Sequence, residues 1–398
     1  MLAIRAPRAF DGARAVEGGA TVMINAGKIV GVEPAGIDLP DGTVLIDHPD
    51  ATILPGLIDS HVHLCADSID GALDRLETYD DAQLDEVIDA ALQRQLAAGV
   101  TTVRDLGDRR YAVVDRRDAG GEEVRPTIVA SGPPITSARG HCWNMGGEAT
   151  GPEALRAAVA ERVERGVDVV KIMASGGIMT PGTDVTVPQF NDEDLQLVVT
   201  EAHAAGLGVM AHAHALAAVE QAVRAGVDGI EHCTCMTPTG AGAPEGLLEQ
   251  LAARRIAVCP TLGIAPHVPV PPIVLETFTR LGLSPDDRFV HVAQLDAAGV
   301  LLVGGSDAGI SIGKPHGILP QALVEIARCM PADRALATVT SVAARVCGLG
   351  DRKGALRPRY DADVLVVDGN PMADMAAVLR VRQVVVAGTV VDPVLMQT

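Results

Sequence analysis

Residues 54–64 read LPGLIDSHVHL, an apolar run punctuated by Pro55-Gly56 that carries His61 and His63 two positions apart. With the apolar residues and Thr that precede it from Ala51, it has the make-up of a buried strand. Side chains at i and i+2 of a strand share a face, so both imidazoles point one way and Val62 the other. Two imidazoles buried side by side are costly unless something holds them. A divalent metal can do so, and so can a set of ordinary hydrogen bonds. The rest of the chain has to decide between the two.

Outward from this strand the chain repeats a strand-then-helix rhythm. Further strands are expected at 100–106, 126–132, 168–175, 207–213, 228–233, 256–262 and 300–309. Helical patterns fall between most of them, at 81–99, 151–166, 191–206 and 215–226, and each of these four ends on a Gly, the expected C-cap placement. Eight alternating units predict an α/β protein built on a (β/α)8 barrel. No G-x-G-x-x-G or Walker-type loop favours a doubly wound sheet instead. Short β-rich segments before residue 55 and after residue 351 predict a small β-sandwich made from both chain ends. The expected organisation is therefore residues 1–55 and 351–398 in the sandwich, with the barrel at 56–350.

Chemistry in such a barrel sits at the C-terminal ends of the strands. His61 and His63 end the first expected strand, Lys171 lies late in the fourth, and His212 ends the fifth with His214 two residues on. His232 ends the sixth and Asp307 lies late in the eighth. Residues spread over most of the sequence thus converge on one rim, which favours the metal. Imidazoles and carboxylates are good zinc ligands, and a catalytic site leaves a position for water. Lys171 is the odd member, because an ammonium cannot ligate and repels cations. It either snorkels from the strand end or captures CO2 as a carbamate, an anionic bidentate bridge between two ions. Spacing does not separate His212 from His214, since both share a strand face.

The motifs HVHL, VVKIMASGG, AHAHA, GIEHCT and GGSDAG together resemble the amidohydrolase superfamily. The likeness runs over nearly the whole chain and includes GALRPRYDADVLVVDGNP, which looks like the return strand into the sandwich. The motifs are most similar to the branch with a carboxylated lysine, which includes imidazolonepropionase-like amidohydrolases and Xaa-Pro or Xaa-Arg dipeptidases. The resemblance implies two divalent metals, zinc above all. His61, His63 and Asp307 would hold the more buried ion, a carbamate on Lys171 would bridge, and His212 and His232 would hold the second. Asp307 would shuttle a proton from a metal-bridging hydroxide to the leaving group. His141, in the GHCW loop after the third strand, would polarise the scissile carbonyl, and His214 would contact the substrate. The implied reaction is hydrolysis of an amide or peptide-type C–N bond in a dipeptide or N-acyl amino acid. Ring opening of a cyclic amide or imidazolone, deamination at a single metal, and a non-catalytic scaffold are the alternatives.

Weaker candidates surround this set. Arg104 could bind a substrate carboxylate or form a buried ion pair that supports the barrel. Arg139, Lys314 and His316 lie in loops on the same face and are expected near the substrate. His48, His203, His267 and His291 have no evident ligand partner and read as structural or exposed. Cys233 stands where the family commonly has Gly, which creates a Cys-x-Cys with Cys235 beside His232. Small buried cysteines ordinarily just pack, and a different metal chemistry is the sharper reading of that pair.

Composition bounds the partners. A formal net charge of −19 argues against nucleic acid or an anionic membrane and leaves a small molecule as the expected substrate. Hydrophobic residues make up 48% but aromatics only 2%, so the core must be aliphatic, which suits tightly packed α/β layers. Seven scattered cysteines suggest a reducing compartment, and the start of the chain lacks a signal-like pattern, so a cytoplasmic enzyme is expected. A homo-oligomer is left open.

Overall fold

The computed structural model describes residues 1–121 and 123–392; residues 393–398, the end of the segment expected in the sandwich, lie outside the described residues. Eight parallel strands form the barrel: β1 Leu57–Val62, β2 Val100–Asp105, β3 Thr127–Ala130, β4 Val169–Met173, β5 Gly208–Ala215, β6 Gly229–Thr237, β7 Ala257–Cys259 and β8 Leu301–Leu302. β1 to β3 form one hydrogen-bonded run and β4 to β8 another. Two short parallel bridges close the circle, Ile135 to Ile172 between the β3 and β4 sides and Val62 to Ala308 between β1 and the chain after β8.

The expected helices form and cap as their sequences dictate. Helix Asp81–Ala97 starts on a capping box in which Asp80 accepts from the Gln83 backbone and Gln83 returns the bond. Helix Asp192–Ala204 starts on Asn191. Helix Pro152–Glu164 has Pro at its first turn, where a missing N–H costs nothing.

The strand ends differ from the expectation. The strand expected over 300–309 is regular only at Leu301–Leu302, and the one expected over 256–262 only at Ala257–Cys259. Beyond these points the backbone turns left-handed at Thr261 (φ 48°) and Asp307 (φ 60°), as it does at His232 (φ 65°) within β6. None of the three is Gly, so each kink has a conformational cost that its neighbours must cover.

The chain ends meet in the sandwich. Strand Ala51–Pro55 pairs antiparallel with Val364–Asp368, which brings the two termini into one six-stranded sheet. A four-stranded sheet with Leu2–Ala6 inside it covers that sheet. The six-stranded sheet is buried on both faces. Ile53, Val364 and Val366 pack into the sandwich core, while Leu54, Leu365 and Val367 pack into the barrel core. Period-2 alternation of apolar residues on both sides thus welds the sandwich to the barrel.

Candidate metal centre

Six imidazoles line one cavity of about 190 Å³ at the C-terminal mouth of the barrel: His61, His63, His141, His212, His214 and His232. Lys171, Asp307 and Lys314 line it as well. The β1 alternation places His61 and His63 on the inner face as expected. The register sets His212 of β5 opposite Met173 of β4 and Glu231 of β6. Ring centroids of His212 and His232 lie 4.7 Å apart, and those of His61 and His232 5.6 Å apart.

Hydrogen bonds at the outer nitrogen orient each ring. His61 Nδ1 lies 2.8 Å from Glu231 Oε2, and His63 Nδ1 lies 2.9 Å from the Gly107 carbonyl. The buried Glu231 carboxyl is held down at about 2: burial would raise it, but the hydrogen bond and charge of His61, with Lys171 and Arg104, outweigh that. An ionised carboxylate and a carbonyl can only accept, so both histidines carry their proton on Nδ1 and turn a lone pair at Nε2 inward. His212 is reversed. Its Nε2 gives its proton to the Gly176 carbonyl at 3.2 Å, which leaves Nδ1 as the lone-pair nitrogen. His214 and His232 lean instead on hydroxyls, those of Thr234 and Thr261.

The inner atoms of the first group face one another without a donor. His61 Nε2 and His63 Nε2 are 3.2 Å apart, and Asp307 Oδ1 lies 3.4 Å from the first and 3.3 Å from the second. Three acceptors at this spacing repel unless a cation joins them. For a tetrahedral zinc ion with bonds of about 2.0–2.1 Å, ligand atoms sit roughly 3.3 Å apart, which these distances match. For His63 burial, the largest influence, would lower the pKa, yet the Asp307 carboxylate beside it raises it overall. Burial pushes His61 down to about 4, with the Lys171 charge adding to the effect.

His212, His214 and His232 form a second group whose ligand atoms lie within 4.8 Å of one another. Lys171 shares the cavity, is 1% exposed, and its Nζ has no hydrogen-bond partner among the described residues. Burial depresses its pKa. A buried amine without a hydrogen-bond partner fits a site completed by a further group.

His141 reaches the same wall. Thr180 Oγ1 accepts from the Cys142 backbone N–H at 3.1 Å and lies 2.8 Å from His141 Nδ1, while His141 Nε2 lies 3.5 Å from Cys142 Sγ. Burial and the neighbouring His214 keep this ring neutral, with a pKa of about 3. The Lys314 ammonium donates to the Thr261 and Ser306 carbonyls at 2.6 and 2.7 Å.

Three expected substrate residues do not line the cavity. Arg104 is 1% exposed; it donates from Nε to the Ser60 carbonyl and pairs with Glu231 at 3.5 Å, which is the ion-pair reading and not the substrate one. Arg139 is exposed and stacks over Trp143, 3.4 Å from the ring centroid. His316 is buried and bonded to the Ala66 carbonyl. Glu231 is the residue missed from the sequence. Its signal was its place next to His232 on β6, in register with His212 and so on the inner face of the barrel beside His61.

The chain belongs to the amidohydrolase family, whose model matches residues 52–391. With the histidine and aspartate clusters at the barrel mouth, this makes it a metal-dependent hydrolase of amide-type C–N bonds. It is similar to ochratoxinase of Aspergillus niger, 26% identical over 361 residues that span 82% of this chain and 72% of that one. Among solved structures, it is similar to a Xaa-Pro dipeptidase with bound methionine in the active site, at a TM-score of 0.85 and 26% identity over 98% of this chain and 99% of the other. It is also similar to a prolidase complexed with N-methylphosphonate-L-proline, at a TM-score of 0.85 and 27% identity over 98% and 99%.

Proposed function

We propose that this amidohydrolase belongs to the dinuclear branch with a carboxylated lysine and hydrolyses dipeptides or N-acyl amino acids. The observation that carries the reading is the donor set: three facing lone pairs, a second histidine group, and an unpartnered buried amine in one cavity. His61, His63 and Asp307 would hold one ion, His212 and His232 the other. The choice of His212 over His214 is supported by its carbonyl partner, which commits Nδ1 to the lone-pair role, and by its deeper burial, 3% exposed against 9%. Lys171 Nζ, whose pKa burial lowers, would attack CO2 in its uncharged form; a nitrogen–carbon bond would form, a proton would leave to solvent, and the carbamate anion would serve as a ligand to both ions. Two divalent ions, zinc by this donor chemistry, would supply Lewis-acid polarisation of the substrate carbonyl and a water acidified toward neutral pH.

The chain's own residues do the rest. Asp307 stays ionised, because the His61 and His63 partners and the Lys314 charge overcome the burial that would raise its pKa. It takes a proton from the attacking water and passes it to the departing nitrogen. His141 offers Nε2–H to the carbonyl oxygen as negative charge develops there. His214 lies at the same wall to orient the substrate. Lys314, with two of its protons committed, keeps the third and its charge for a substrate carboxylate.

The dipeptide class is supported by the solved relatives, a Xaa-Pro dipeptidase and a prolidase. Room for the larger substituent is supplied by an adjoining cavity of about 510 Å³, which shares His232 and Phe278 with the metal cavity. Zinc-replete protein with bicarbonate should turn over members of a panel of Xaa-Pro and Xaa-Arg dipeptides and N-acyl amino acids. It should also bind two metals and give a carbamate carbon signal from labelled bicarbonate. No turnover across the panel would sink the substrate class; one tightly bound metal without the carbamate signal would sink the branch.

A further inference from the structure

We infer that Cys233, Cys235 and His291 form a second, sulfur-rich metal site, distinct from the hydrolytic centre, that takes a thiophilic divalent cation such as zinc or cadmium. One ligand-capable atom of each residue lies within 4.8 Å of the others. A tetrahedral zinc with sulfur bonds of about 2.3 Å and nitrogen bonds of about 2.0–2.1 Å sets its ligand atoms roughly 3.3–3.8 Å apart, so the three would close by at most about 1–1.5 Å. Both cysteines are free and fully buried, and Cys235 Sγ lies 3.5 Å from the Cys233 carbonyl.

The backbone makes this pairing. Two cysteines at i and i+2 of a regular strand would share a face but point apart along it. Here Cys233 and Cys235 are both left-handed, at φ 51°, a conformation that disfavours any residue with a Cβ. The kinks gather the two thiols on the side of β6 facing helix Asp287–Ala297, which supplies His291. His291 Nε2 donates to the Cys233 carbonyl at 2.7 Å, which holds that helix against the kink. His291 also lines the 510 Å³ cavity, so an ion has an approach from solvent, and a fourth position can be filled by water. Binding would release the thiol protons to solvent, as any thiolate site requires. The bound ion would then clamp the kinked segment that carries His232 to the helix beside it.

Sulfur chemistry separates this site from the hydrolytic centre, whose proposed ligands are nitrogen and oxygen only. Zinc-loaded full-length protein, kept reduced, is titrated with cadmium while the thiolate-to-metal charge-transfer band and bound cadmium are followed. The expected result is a saturable band with one added equivalent per chain. It is lost in Cys235→Ser and strongly weakened in His291→Gln, while Cys142→Ser and Cys259→Ser keep it. Variants that retain the wild-type circular dichroism spectrum make the comparison valid, and His291→Gln, on a separate element, is an independent check on a folding defect in the cysteine variant. Absence of the band in reduced wild-type protein, or its persistence in both Cys235→Ser and His291→Gln, overturns the site. Failure of the dinuclear reading would leave this result unchanged, because the band reports sulfur alone.

Discussion

Asp307 carries two duties on one carboxylate, and a single atom change separates them. Asp307→Asn keeps an oxygen for the cation but cannot accept a proton, so kcat should fall by about 10²–10⁴ with metal content near wild type. Near-normal turnover in that variant would remove Asp307 from proton transfer. Glu231 acts one layer further out. Its carboxylate fixes the His61 tautomer and balances Arg104 in a fully buried setting. Glu231→Gln should weaken metal binding by roughly 10–100-fold, as loss of an orienting partner usually does. Competition with a chelator measures this directly, and unchanged affinity would show that His61 needs no such support. Sequence spacing could list the histidines but not say which nitrogen each presents. That depends on which acceptor the fold brings to the far side of each ring.

At the scale of elements, the site is assembled where strands stop being regular. The chain after β8 runs close beside β1: the Asp307 N–H donates to the His61 carbonyl at 2.7 Å, and Ser306 bonds Asp59. Gly305 makes that approach possible, since a Cβ there would meet the His61 backbone nitrogen at 2.8 Å and Cys259 Sγ at 2.7 Å. Gly305→Ala should therefore push the two strands apart, lowering metal occupancy and thermal stability together. A variant with full metal content would show that the barrel absorbs the methyl without moving Asp307. The eight-unit rhythm was legible because apolar periodicity is a local property. The kinks at His232, Thr261 and Asp307 were not, because no Gly marks them and only the neighbouring strand holds them in place.

Over the whole molecule, the sandwich and barrel behave as one packed body, because the shared sheet is buried on both faces. Leu365 sits at that seam, fully buried and against Gly99 of the barrel. Leu365→Ala should cost about 2–5 kcal/mol, read as a fall in denaturation midpoint, although it touches no site residue. A shift under about 0.5 kcal/mol, the usual scale of a surface change, would mean the layers are not coupled there. Among the described residues no helix is long and apolar enough to cross a membrane.

Periodicity and motif spacing are written along the chain, and they make legible the barrel, the strand ends that carry histidine, lysine and aspartate, and the family. They also mark Cys233 as out of the family pattern, beside Cys235. The fold, and not the local pattern, pairs Arg104 with Glu231 and leaves Arg104, Arg139 and His316 outside the cavity lining. It likewise turned His212 by its Nε2 so that Nδ1 faces inward, and carried His291 to the two cysteines. Each of these is a contact between residues far apart in sequence, set by which surfaces the closed barrel presses together.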